Sequence, residues 1–251
     1  MGFEATRRVD TSARTFTIVE HLDHVEHARI SEIARDLEMS KGIVHNHVST
    51  LRELGYVTKR GPHYQLSAKL VHLGRRVRSH SPLYRAASSV LDTYTERVET
   101  GVLLVEQAGE QGIVIESYRL PASVELTVGT ALPMSESLPG AVLLSSTDKP
   151  VSDLPKSRYD YEVLRSMLAE HGVATGTLTA DETTQCVAAP VTDGDGDCYG
   201  SLAVIVPSTS DAPEALIESV ATVRAQVETG LQGDSPHERS FTTEKHSWID
   251  S

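Results

Sequence analysis

Residues 40–55, SKGIVHNHVSTLRELG, constrain this chain more than any other stretch. Ser40 stands just before an apolar-periodic run, where a serine hydroxyl can accept from the first free N–H groups of a helix. Gly55 stands where a helix is closed by a left-handed residue. Between them, at 100° per residue, Val44, Val48 and Leu51 share one face, flanked by Ile43 and Leu54. A helix over 41–54 is expected, with that stripe buried. The opposite face holds Gly42, His45, Asn46 and Ser49, bordered by Lys41, Thr50 and Arg52.

The flanking segments give this helix a context. Residues 11–22 read as a first helix, capped by Thr11 or Ser12, with Phe16, Ile18, Val19 and Leu22 as its apolar stripe. Residues 31–38 read as a second, capped by Ser31, with Ile30, Ile33, Ala34 and Leu37 inward. After Gly55 come two β-prone runs, 56–59 and 63–66, with Arg60-Gly61-Pro62 turning between them. Helix, helix, turn, helix, hairpin is the order of a winged helix-turn-helix.

Such an outward face suits the major groove, whose base edges offer donors and acceptors. Asn46 has the geometry to pair bidentately with adenine. His45 reaches a guanine acceptor or a phosphate, and Lys41 at the helix N-terminus a phosphate. Lys59, Arg60 and His63 cluster at the wing turn, and Arg7 and Arg8 form a basic arm. Polar outward faces are common on surface helices, and winged helices also serve as protein-interaction modules, so an effector-free interaction module stands as the alternative.

Charge separates this head from the remainder. Residues 1–80 carry a net +4 and eight of the eleven histidines, whereas 81–251 carry −16. A basic head on an acidic body is expected to meet nucleic acid through the head alone. The acidic excess, with 17 Arg against 6 Lys, also resembles proteins adapted to high salt (a halophilic signature). High salt weakens phosphate contacts by reducing the gain from counterion release.

Beyond residue 67 the pattern gives a linker helix over 68–81 and a helix over 83–99, with Leu83, Ala87, Val90, Leu91 and Tyr94 on one side. Short strands are expected at 101–106, 113–118, 123–129, 185–191 and 198–206, with helices near 138–146, 159–171 and 212–231. This is an α+β domain with a mainly antiparallel sheet. The domains read 1–67, 68–81, 82–231 and a disordered tail 232–251.

Other chemistries find little support. No run of eighteen apolar residues is present, nor an apolar leader, so a cytoplasmic protein away from membranes is expected. Cys186 and Cys198 cannot build a four-cysteine zinc site and are expected as free thiols. His21, His24 and His27 straddle a helix end with no cysteine nearby, which fits a solvated or DNA-adjacent cluster better than a metal site. No G-x-S-x-G elbow or phosphate loop is found, so neither an enzyme nor a cofactor is expected. A small-molecule-binding enzyme in the acidic part is the weakest of the three readings.

RTFTIVEHL, ISEIARDLEMSKGIVHNHVSTLRELGYV and HYQLSAKLVHLG closely resemble the N-terminal domain of the isocitrate-lyase-regulator (IclR) family of transcription regulators. VGTALPMSESLPGAVLLS, QCVAAPVTDGDG and YGSLAVIVP extend the resemblance to about residue 231. The resemblance implies a winged helix-turn-helix, a linker helix and a GAF/PAS-like α+β effector-binding domain. It implies a homodimer or tetramer on double-stranded operator DNA, answering to a small molecule such as an organic or aromatic acid. It places the effector against the sheet, near Ser135, Ser137, Leu138, Cys186, Ala203 and Ile205. A helix starting at Ser137 would offer unpaired N–H groups to an anion.

The chain departs from the family in specific places. Asn46 stands where an arginine is usual, and Ala203 and Ile205 stand where serines line the ligand. Ser135-Glu136-Ser137 replaces a His-Ala-Thr segment. The usual acidic residue before the cysteine is not in place, Asp181 and Glu182 lying closer to Cys186, and the effector domain is shorter than most.

Overall fold

The computed structural model describes residues 6–98, 100–179, 184–205 and 214–232. Asp181, Glu182 and the predicted tail from 233 onward lie outside the described residues. The chain divides into two compact units, 1–80 and 81–251.

The first unit holds α1 (Asp10–Val25), α2 (Ile30–Asp36), α3 (Lys41–Glu53), β1 (Val57–Arg60), β2 (His63–Leu66) and α4 (Lys69–His80). Its core joins Ile18 and Leu22 of α1, Ile33 and Ala34 of α2, Val44, Val48 and Leu51 of α3, and Val57 of β1. Val44, Val48 and Leu51 are therefore buried as expected, whereas the flanking Leu54, at the C-terminal end of α3, is 53% exposed. β1 and β2 pair antiparallel from Val57↔Leu66 to Arg60↔His63, so Arg60 closes the ladder and Gly61-Pro62 make the turn. Ala28 and Tyr64 exchange backbone hydrogen bonds of 3.0 and 2.8 Å, which fastens the wing to the entry of α2.

Three local expectations are corrected. Phe16 is 65% exposed and leaves the apolar stripe of α1, because i, i+4 spacing puts Ile18 and Leu22 inward and turns residue 16 away. Neither Thr11 nor Ser12 caps α1, which begins at Asp10 behind Val9. Ser31 does not cap α2; the helix starts one residue earlier, and Glu32 Oε2 accepts from Arg29 N at 2.7 Å. A glutamate reaching back satisfies the donor that a capping hydroxyl would have left free.

The second unit holds α5 (Pro82–Arg97), β3 (Val102–Ala108), β4 (Gln111–Tyr118), β5 (Ala131–Pro133), α6 (Leu138–Ser145), α7 (Tyr161–His171), β6 (Ala174–Thr177), β7 (Gln185–Thr192), β8 (Cys198–Ile205) and α8 (Glu214–Gln232). All six strands form one antiparallel sheet in the order β5-β4-β3-β8-β7-β6. The central strands are apolar on both faces and alternate strictly. Val102, Leu104, Val187, Ala189, Leu202 and Val204 face α5 and α8. Leu103, Val105, Cys186, Ala188, Ala203 and Ile205 face α6 and α7.

Two strand expectations differ from the structure. Residues 123–129 are not a strand; Val124 and Leu126 tuck against the α6 side as irregular chain, and the edge strand is β5 instead. β6 is unexpected because its sequence, ATGT, carries no apolar alternation; pairing to β7 supplies its stability.

Candidate nucleic-acid interface and effector site

Ser40 Oγ accepts from Ile43 N at 3.3 Å and opens α3; Gly55, at φ +79°, closes it in a conformation that L side chains rarely adopt. Between these ends Lys41, Gly42, His45, Asn46, Ser49, Thr50 and Arg52 are all exposed. The Thr50 hydroxyl donates to Asn46 O at 3.1 Å, which leaves the Asn46 side chain as the amide on this stretch of surface. Gly42 has nothing within 4 Å of where a Cβ would stand, so its neighbours are open to an approaching duplex.

On the wing, Lys59 and Arg60 are exposed, with Lys59 Nζ 5.4 Å from the Tyr64 ring centroid. His63 is placed differently from its companions. It is half-buried; its Nε2 accepts from Arg29 Nε at 3.3 Å, and the His27 ring meets it edge-on at 5.3 Å. The histidines at 21, 24 and 27 do not converge. His21 Nε2 lies 3.6 Å from Asp36 Oδ2, while His27 turns to the wing. Among the described residues no group of three or more His, Cys, Asp or Glu is arranged to hold a metal ion. No helix among them is long and apolar enough to cross a membrane.

Sequence reasoning missed His47. It sits on α3 between the buried stripe and the outward face, and its Nδ1 lies 2.8 Å from Thr15 Oγ1 on α1. The available signal was a lone histidine at a position bordering an aliphatic stripe. Arg29, at the head of α2 and touching the wing histidine, was missed too.

In the second unit, Leu138, Cys186, Ala203 and Ile205 do come together, in the core between the sheet and α6. Register explains it: Cys186 pairs with Ile205, and Ala203 lies between Leu103 and Ala188. Burial pushes the Cys186 thiol above its ordinary pKa, so it is a small apolar residue here. Ser135 is half-buried, and its carbonyl accepts from Ser157 Oγ at 2.6 Å.

The expected anion site at the start of α6 is corrected by its hydrogen bonds. Leu138 N donates to Leu178 O at 3.0 Å, residue 139 is proline and has no N–H, and Gly140 N donates to Ser137 Oγ at 3.3 Å. Ser137 Oγ in turn donates to Pro133 O at 2.9 Å. The first-turn donors are all occupied, so in this state the helix end presents no N–H to a carboxylate.

The comparisons bear on both units. The IclR helix-turn-helix domain model matches residues 12–61, which span α1 through the wing. A curated relative, the HTH-type transcriptional regulator KdgR of Escherichia coli, is 24% identical over 233 residues, covering 85% of this chain and 88% of its own. Along most of its length the chain is similar to IclR-type helix-turn-helix transcriptional regulators, and residues 12–61 carry the family's DNA-binding domain pattern. Solved IclR-type structures share the fold along nearly its whole length. A transcriptional regulator from Rhodococcus superposes with a TM-score of 0.71 at 21% identity, covering 89% of this chain and 98% of that one. An IclR homologue from Microbacterium hydrocarbonoxydans, complexed with 4-hydroxybenzoate, gives 0.66 at 19%, covering 86% and 98%. The curated relatives are named as HTH-type transcriptional regulators.

Proposed function

We propose that this IclR-type regulator reads its operator with the outward face of α3, Asn46 and His45 meeting base edges and Lys41, Arg52, Lys59 and Arg60 meeting phosphates. The single observation carrying this is that the apolar stripe of α3 is buried while seven polar or small residues opposite it are exposed. His63 stands beside them at the wing turn, where its bond from Arg29 also holds the wing. The test is a footprint on the chain's own upstream DNA, wild type beside Asn46→Ala. Selective protection by the wild type, weakened by the variant, supports the assignment; equal protection by both removes Asn46 from it.

The working form is a homodimer on a pseudo-palindromic site, with recognition helices about 34 Å apart. Support comes from α4, which has no buried residue and exposes Val71 and Val77 at 64% and 73%. A helix that buries none of its residues and exposes valines is open to an interaction partner. Sedimentation of the full chain, wild type beside Val77→Asp, tests it.

The second unit is read as a GAF-like effector domain, its sheet order and the helices on both faces supporting that reading. The effector site lies where α6 meets β7 and β8. Its lining favours an apolar or aromatic acid, the homologue's 4-hydroxybenzoate complex being consistent with this. The occupied donors of α6 favour a second reading, a regulator that answers to no effector. Thermal shift with 4-hydroxybenzoate and a series of aliphatic acids separates them: stabilisation supports the first, and none with DNA binding retained supports the second.

A further inference from the structure

We propose that His47 is a positioning residue for the DNA-reading helix: through its Nδ1–H it is held by Thr15, and the tie fixes the rotation of α3 against α1 and thereby the aim of Asn46 and His45. The proposal rests on the reading of α3 given above.

The proposed tie fixes a tautomer. Thr15 Oγ1 lies 3.0 Å from Thr11 O and 2.8 Å from His47 Nδ1. The hydroxyl has one proton, and the proposed tie gives it to Thr11 O, which can only accept. The Thr15 oxygen is then an acceptor toward His47, and Nδ1 must carry a hydrogen. A ring protonated on Nε2 alone would instead draw the hydroxyl proton to Nδ1 and away from Thr11 O. The chain of donation runs from His47 on α3, through Thr15, to the backbone of α1.

Directionality gives this tie its use. The contacts of Val44, Val48 and Leu51 are apolar, and apolar burial has no angular preference. A helix turned by about 10° on such a bed moves side-chain tips ~6 Å from its axis by about 1 Å. Paired hydrogen bonds to a base tolerate only a few tenths of an ångström around ~2.9 Å. A hydrogen bond weakens steeply with distance and angle, so one placed a single residue beyond Asn46 resists the rotation that the apolar stripe permits.

The variants separate geometry from bulk. Asparagine can place an amide N–H where His47 has Nδ1; glutamine places its amide near the Nε2 position and does not reach Thr15 in the same rotamer. Serine keeps the Thr15 hydroxyl, and valine keeps only its shape. The probe is a duplex selected by the wild-type full chain from a random pool, beside a scrambled duplex of equal length. The ratio of affinities for the two duplexes is expected to fall about tenfold in His47→Gln and Thr15→Val. It is expected to stay near wild type in His47→Asn and Thr15→Ser. Scrambled-duplex affinity and its salt slope are expected to be unchanged in all four, because phosphate contacts are not touched. Long-range 1H–15N correlation of the free protein should show Nδ1 protonated.

A wild-type chain that selects no sequence removes the reading face, and the positioning role falls with it. Selection by the wild type with equal ratios in His47→Gln, Thr15→Val and wild type overturns the positioning role alone. So does a bare Nδ1, or a loss in His47→Asn as large as in His47→Gln. Should His47→Gln fail to fold, the Thr15 pair decides by the same ratio.

Discussion

Lys69 Nζ donates to Leu54 O at 2.7 Å and lies 4.3 Å from the centroid of the Tyr56 ring. One ammonium thus closes the C-terminal end of α3 and fixes the first turn of α4. The Ser67 hydroxyl, donating to Gly55 O at 2.5 Å, makes a second link across the same corner. Replacing Lys69 with methionine keeps the stem and removes the charge. The first unit is expected to lose about 1 kcal/mol, read as a lower denaturation midpoint in urea. An unchanged midpoint would remove this contact from the account.

Asn46 and Lys59 differ in what they would read. Asn46→Ala is expected to relax selectivity at one base pair of the site, at a cost of about 1–3 kcal/mol. Lys59→Ala is expected to weaken all duplexes alike and to reduce the slope of log affinity against log salt by about one. Binding titrations at four salt concentrations, on the selected and the scrambled duplex, distinguish the two behaviours.

Gly140 is in the first turn of α6 with no room for a side chain. A Cβ there would stand 2.5 Å from Met134 Cα and 2.6 Å from Met134 O. Backbone cannot yield as a flexible side chain does, so Gly140→Ala is expected to destabilise the second unit by about 1–3 kcal/mol. Thermal denaturation of the full chain should show this as a lowered transition, with no matching change after Gly42→Ala, which meets open space.

The two thiols are expected to differ in reactivity. Cys186 is buried among Ala188, Ala203 and Ile205, whereas Cys198 lies at an exposed position on β8 with its sulfur directed to Gly200 O. Burial raises both pKa values, so thiolate is scarce at neutral pH and alkylation should accelerate as pH rises. Mass spectrometry after iodoacetamide at pH 8.5 should find Cys198 modified in the native chain and Cys186 modified only after unfolding. Equal labelling of both would contradict the packing on the α6 face.

Much of the first unit was legible because its signals are local. Ser40, Gly55 and the Val44-Val48-Leu51 stripe each act within one or two helical turns, and propensity and tertiary packing agree there. Phe16 was misread because a large apolar side chain satisfies a periodic pattern whether or not a partner covers it. β6 was hidden for the opposite reason: Ala174–Thr177 becomes a strand through pairing with distant β7, which no local pattern announces. The proposed effector site was the least legible part. Leu138, Cys186, Ala203 and Ile205 do share the core on one sheet face, but the state of the α6 donors depends on Leu178 and Pro133, which lie elsewhere in the chain. His47 escaped notice because its role is set by a partner 32 residues away.

The central claim is that the amide and imidazole on the outward face of α3 meet duplex edges. A photoreactive benzophenone side chain at position 46 of the full chain, irradiated on a duplex selected by the wild type, tests it most directly. The expected result is a crosslink mapped to a base inside the protected site, absent on scrambled DNA. Crosslinks to protein alone, or to selected and scrambled duplexes equally, would contradict it.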